Sequence, residues 1–125
     1  MVANGLLRPN DICFSPDESR LDVAYSDGLR HNFRVYDVSA NSTLSGGSIF
    51  AKIANGGPGG VRCDVDGRLW SSSGEGVYIF AGTDGHLIGK TRFHRTANLC
   101  FGGPQDKTLY MTPSLFAELL GHYPT

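Results

Sequence analysis

The feature that most constrains this chain is a template of loop, strand, tight turn and strand that occurs three times. Its clearest copy runs from Gly56 to Ser73: a Gly/Pro loop, a short strand at Val61 to Cys63, an Asp66-Gly67 turn, and a second strand from Leu69. Glycine supplies the backbone conformations that such turns require, and Asp-Gly between apolar runs is a hairpin signal. Arg8 to Leu21 repeats the pattern with Asn10 at the place of Gly59, Phe14 at Cys63 and Asp17 at Asp66. Ala97 to Pro104, followed by Lys107 to Tyr110, repeats it again. Asn10 to Gly59 is 49 positions and Gly59 to Ala97 is 38, near the roughly 40–50-residue period of β-propeller blades. A chain built this way is all-β.

In order along the chain, the first repeat covers residues 8–53, with strands expected at Ile12 to Ser15, Leu21 to Tyr25, Phe33 to Val38 and Ser48 to Ile53. The second covers 60–93, with strands at Val61 to Cys63, Leu69 to Ser72, Val77 to Phe80 and Leu87 to Phe93. The third is partial, 97–120, with Leu99 to Phe101, Leu109 to Thr112 and Ser114 to Leu120. Four short antiparallel strands make a blade, and a closed ring needs roughly four to eight blades. Fewer than three complete blades are present, so the chain forms an open arc. Ile12, Phe14, Leu21, Val23, Val35, Ile49, Val61, Cys63, Leu69, Val77, Ile79, Leu99, Phe101 and Leu109 are the expected core between neighbouring sheets.

Charge and composition exclude several functions. Eleven Lys/Arg face twelve Asp/Glu, for a net charge of −1, and no basic run forms a face, so neither nucleic acid nor an anionic membrane is an expected partner. No run approaches the 18 or so apolar residues of a membrane span, and Met1 to Leu7 lacks the basic start and apolar core of an export signal. Cys13, Cys63 and Cys100 each fall on the first strand of a repeat; they are expected to be buried free thiols, which suits a reducing cytoplasm.

Other motifs are weak. Asp64-Val65-Asp66-Gly67 with Glu75 has acidic spacing like that of a calcium loop, but Leu69 stands where that loop needs Gly, so a hairpin turn is expected. Gly56 to Gly60 has neither a following helix nor the lysine of a phosphate loop. His31, His86, His94 and His122 lack zinc-site spacing, and Ser71-Ser72-Ser73 lacks a nucleophile-elbow pattern; all are expected at surfaces or edges.

Taken together and in order, Arg8-Pro9-Asn10-Asp11-Ile12-Cys13-Phe14-Ser15-Pro16-Asp17, Arg34-Val35-Tyr36-Asp37-Val38, Gly60-Val61-Arg62-Cys63-Asp64, Asp66-Gly67-Arg68-Leu69-Trp70 and Ala97-Asn98-Leu99-Cys100-Phe101-Gly102-Gly103-Pro104 resemble the C-terminal half of the gluconolactonase, senescence-marker-protein and regucalcin family. The resemblance implies the last three blades of a six-bladed propeller and hydrolysis of a sugar or other lactone at a divalent cation: calcium, zinc, manganese or magnesium. The family holds that cation with a Glu near the start of its chain, an Asn and an Asp. Asn10 matches the Asn as a metal ligand. No part of this chain matches the Glu, and Gly59 stands where the family has Asp, a residue that is also a candidate proton acceptor, so the catalytic residue is unassigned.

Asp11 and Asp27 are possible substitute ligands. Two readings follow: a lactone hydrolase relative with weak or no activity of its own, and a non-catalytic half-propeller acting as an assembly or small-ligand-binding module. An open arc also exposes sheet faces and edges. Its expected partner is a second copy closing a six-bladed ring across a two-fold axis, or a separate N-terminal half.

Overall fold

The computed structural model describes residues 8–27, 30–54, 56–92, 95–113 and 122–124. Each hairpin closes where the sequence places turn chemistry. Between Phe14 and Arg20 the Asp17 carboxylate accepts from the Ser15 and Ser19 hydroxyls and from the Ser19 amide. The Ser19 hydroxyl, its amide and the Ser15 hydroxyl together hold the Asp17 carboxyl down at about 2. Glu18 takes the left-handed conformation (φ 59°) that the tight turn needs. Between Cys63 and Leu69, Gly67 does the same at φ 79°.

Asp64 organises that second turn: it accepts from the Asp66 and Arg68 amides, from Arg68 Nε at 2.6 Å and from the Trp70 indole at 2.8 Å. Desolvation opposes its charge, but the Trp70 and Arg68 hydrogen bonds outweigh it and hold the carboxyl below the usual range.

Strands β1 (Pro9–Phe14), β2 (Arg20–Asp27), β3 (Arg30–Val38) and β4 (Leu44–Lys52) form an antiparallel sheet in sequence order. Strands β5 (Val61–Cys63), β6 (Leu69–Ser73), β7 (Gly76–Phe80) and β8 (Leu87–Arg92) form a second in the same order. The third holds β9 (Thr96–Gly102), β10 (Thr108–Pro113) and β11 (His122–Pro124) in the order β11-β10-β9. One 3-10 turn, Pro104–Asp106, is the helical element among the described residues. The fold is therefore all-β, as the repeats predict.

Two details of the strands differ from expectation. Strand β4 starts at Leu44 rather than Ser48, because Gly46 and Gly47, at φ 87° and 94°, let it bulge against β3 instead of ending it. The third sheet's outer strand is His122–Pro124. The expected strand at Ser114 to Leu120 lies outside the described residues.

The sheets stack face to face. Ala24, Phe33, Ala51, Ile53, Val61, Leu69, Tyr78 and Phe80 bury one another between the first and second sheets. Trp70, Val77, Leu99, Leu109 and Met111 do so between the second and third, with Phe101 edge-on to Trp70 at 5.4 Å between ring centroids. Arg20 ties the first pair together: it lies over the Phe50 ring and donates to Asp22 and to the carbonyls of Gly82 and Gly67.

Of the expected core, Leu21, Val23, Val61, Leu69, Val77, Leu99 and Leu109 are buried, and Cys63, Ile79 and Phe101 pack partly buried against the clusters. Ile12, Phe14 and Ile49 are not buried, being 53%, 48% and 50% exposed. Register explains this. Ile12 pairs with Val23, Phe14 with Leu21, and Ile49 with Arg34, which places them on the face of the first sheet turned away from the second. There Leu21, Val23 and Tyr36 form a small cluster with Val38 and Leu44, and no other sheet among the described residues covers it.

Ser71, Ser72 and Ser73, expected at a surface or edge, are fully or almost fully buried. Strand β6 has a sheet on each face, so all five of its residues are inside. The thiols also depart from expectation: Cys13 and Cys63 are half-buried and Cys100 is exposed. Cys100 alternates with Leu99 on β9, and it is Leu99 that packs on the second sheet.

Candidate functional site

At one end of the stack the chain entering each of the three sheets borders a cavity of about 690 Å³. Asn10 on β1, Ser26 on β2, His31 on β3, the Gly56 to Gly59 loop, Ser73 on β6, and Arg95 to Ala97 at β9 line it. The loop is anchored on both sides. Gly59 N–H donates to Ser72 O at 3.1 Å, and Gly60 N–H to Ala97 O at 3.3 Å. Ser72 Oγ donates to the same Ala97 carbonyl at 3.1 Å.

Asn10 sits in the cavity wall where the repeat places it. Its Nδ2 donates to Pro58 O, which fixes the amide and leaves Oδ1 as the oxygen that can accept from, or ligate, something in the cavity. Gly59 lies across from it, and its glycine is a packing requirement. A Cβ there would stand 2.4 Å from Ala97 O and 2.5 Å from Ser72 Oγ, distances that demand movement of β9 or β6.

Asp11 does not line the cavity. Its Oδ1 accepts from the Ile12 amide at 2.9 Å and its Oδ2 from the Val61 amide at 2.9 Å and Arg62 at 3.2 Å. Oδ1 is thus engaged within β1, and Oδ2 joins β1 to β5. Asp27 ends β2 beside the lining Ser26, and its side chain lies outside the described residues.

Ser26, Arg95 and Thr96 are lining residues that no motif marks, and His31 and Ser73, expected at surfaces or edges, line it too. They match no catalytic pattern. Their common signal is position: Ser26 and Ser73 stand in the last two residues of second strands, while His31, Arg95 and Thr96 stand at or beside the starts of β3 and β9, at the same end of the stack. Ser73 Oγ is already engaged, donating to Gly76 O and accepting from the Glu75 amide.

The described lining residues therefore offer an amide oxygen, hydroxyls, an imidazole and a guanidinium, and no carboxylate. A hard dication is held chiefly by carboxylate charge on oxygen ligands. This donor set does not fit the cation that the resemblance implies.

The sequence pattern of the SMP-30/Gluconolactonase/LRE-like region family matches residues 1–114. The chain belongs to this family. It is similar to a gluconolactonase of Zymomonas mobilis subsp. mobilis, 31% identical over 91% of this chain and 35% of the relative. Among solved structures it resembles a gluconolactonase from Xanthomonas campestris, with a TM-score of 0.79 and 33% identity over 86% of this chain and 35% of that one. It also resembles a calcium-binding regucalcin from Agrobacterium tumefaciens, with a TM-score of 0.72 and 28% identity over 86% and 39%. The chain thus spans a little over a third of the length of these gluconolactonase-family proteins.

Proposed function

We propose that this chain supplies three blades of a six-bladed gluconolactonase-type propeller, and that its own cavity binds a small hydroxylated molecule of the sugar-lactone or sugar-acid class with little or no hydrolysis. The observation that carries this reading is Gly59: it is packed against the Ala97 carbonyl where the family pattern has Asp, in a cavity whose described lining has no carboxylate. In the family pattern a divalent cation polarises the lactone carbonyl and lowers the pKa of a bound water. Here the Asn10 Oδ1 and the Ser26 hydroxyl can orient a hydroxylated ring, and the Arg95 guanidinium favours an anionic product. No described lining side chain is a carboxylate base, and loss of a general base alone costs about 10²–10⁴-fold. Hydrolysis of a sugar δ-lactone, followed with calcium, zinc, manganese or magnesium and with a chelator, tests this. The rate is expected to stay near the uncatalysed background in every case. A saturable cation-dependent rate would contradict it.

The remaining blades are proposed to come from a second copy. Ile12, Phe14 and Ile49 give the first sheet an apolar outer face of the kind that elsewhere in the chain meets another sheet, and a two-fold axis closes three blades and three blades into a finite ring. Sedimentation velocity at micromolar concentration should give a homogeneous dimer. A stable folded monomer would rule out the second copy, and aggregation would favour a separate half-propeller as the partner.

A further inference from the structure

Away from the cavity, three ligand-bearing side chains meet between the first two sheets. Cys13 on β1 and Cys63 on β5 turn toward each other, with their Sγ atoms 3.5 Å apart. Asp22, which pairs with Cys13 across β1 and β2, brings Oδ2 to 3.5 Å from Cys63 Sγ. One ligand atom from each of the three lies within 4.8 Å of the others. We infer that Cys13, Asp22 and Cys63 bind a thiophilic divalent cation of the zinc class, at a site distinct from the cavity at the strand ends. Cys13 is three residues along β1 from Asn10, about 10 Å at strand rise.

Three observations converge on this. The first is spacing. A tetrahedral ion with sulfur ligands at about 2.3 Å and an oxygen ligand at about 2.0–2.2 Å sets the two sulfurs about 3.8 Å apart and each sulfur about 3.5–3.7 Å from the oxygen. The sulfurs, 3.5 Å apart, need open by only about 0.3 Å, and the Asp22 carboxylate already brings an oxygen to 3.5 Å from Cys63 Sγ.

The second is an unanswered acceptor. Asp22 is 0% exposed, and its Oδ1 has no hydrogen-bond partner among the described residues. Buried polar atoms are rarely left so, because the desolvation cost is not recovered. Oδ2 is already engaged by Arg20, so Oδ1 is the carboxylate oxygen left for a cation held beside the thiolates.

The third is charge. Two thiolates and one carboxylate around a dication carry one net negative charge. Arg20 lies against Asp22 Oδ2, with Nε at 3.2 Å and a terminal nitrogen at 3.1 Å, which brings the group to neutrality. Arg20 is itself fixed by the Gly82 and Gly67 carbonyls, so it acts as the outer partner that orients a ligating carboxylate.

Sulfur ligands separate this site from the family's oxygen-bound cation, since thiolates favour zinc-like ions and leave calcium to oxygen donors. On binding, each cysteine gives its thiol proton to solvent, and the two sulfurs and one carboxylate oxygen form the bonds to the metal. Three protein ligands leave a fourth position for water. The ion would pin β1 to β5 and hence the first sheet to the second.

The test uses the full chain, reduced with a phosphine, and cobalt(II) as the spectroscopic probe. One equivalent should produce thiolate-to-cobalt charge-transfer absorption in the near ultraviolet, which zinc removes by displacement and excess calcium leaves unchanged. Cys13→Ser and Cys63→Ser should each weaken binding by more than the about 10–100-fold typical of losing a supporting partner, while Cys100→Ser binds as the unmodified chain. In a second measurement that needs no variant, zinc should protect Cys13 and Cys63 from maleimide alkylation, mapped by mass spectrometry, and leave Cys100 reactive. The inference is overturned by the absence of a charge-transfer band, by a band that survives Cys13→Ser, by equal alkylation with and without zinc, or by a Cys13–Cys63 disulfide that forms despite bound zinc.

Discussion

Phe33→Ala is expected to destabilise the chain by about 3–5 kcal/mol, read from the urea midpoint by circular dichroism. Phe33 is 0% exposed at the centre of the cluster between the first and second sheets, with the Phe80 ring 5.6 Å away between centroids. Removing it empties a space walled by strands on both sides, which cannot collapse without shifting their ladders. Phe14→Ala should cost less than half as much in the monomer, because Phe14 is 48% exposed on the outer face. If Phe33→Ala costs less than about 1 kcal/mol, the stacking of the two sheets is wrong.

Gly59→Asp is expected to do the opposite of what family resemblance invites. Restoring a carboxylate at the family's position would seem to rebuild a cation site. The Cβ alone, however, meets Ala97 O at 2.4 Å and Ser72 Oγ at 2.5 Å. Ala97 O also accepts from Gly60 N–H and Ser72 Oγ, so moving it disturbs the junction of the second and third sheets. The variant should lose about 1–3 kcal/mol of stability, the usual cost of overpacking, with no gain in calcium affinity. Unchanged stability together with tight calcium uptake would show that the strand ends give way easily.

Much of the fold is legible in the sequence because its signals are local. Asp17 and Asp64 mark turns by accepting the amides and side chains just after them, and the intervening apolar runs are strands. Which face of a strand is buried is less local. Ile12, Phe14 and Ile49 alternate as core residues do, yet their face meets no other sheet among the described residues. Ser71 to Ser73 look like surface and are buried because a sheet lies on each side of β6.

That Asn10 and Gly59 line one cavity is legible, because the repeat fixes their positions. The site is not legible at Asp11: only the packing of β1 against β5 shows that its Oδ2 is committed to Val61 and Arg62, with Oδ1 held by the Ile12 amide. His31 and Arg95 carry no motif and line the cavity because β3 begins there and Arg95 directly precedes β9.

The proposal that the cavity holds no hard cation is tested most directly by calorimetric titration of the chain with calcium, with Asn10→Ala as the comparison. Calcium is the right probe because the cysteine sulfurs do not compete for it. The expected result is no saturable uptake up to millimolar calcium, and identical traces for the two proteins. Stoichiometric binding tighter than about 10⁻⁴ M, lost in Asn10→Ala, would contradict it and show that a carboxylate other than the one missing at Gly59 completes the cage.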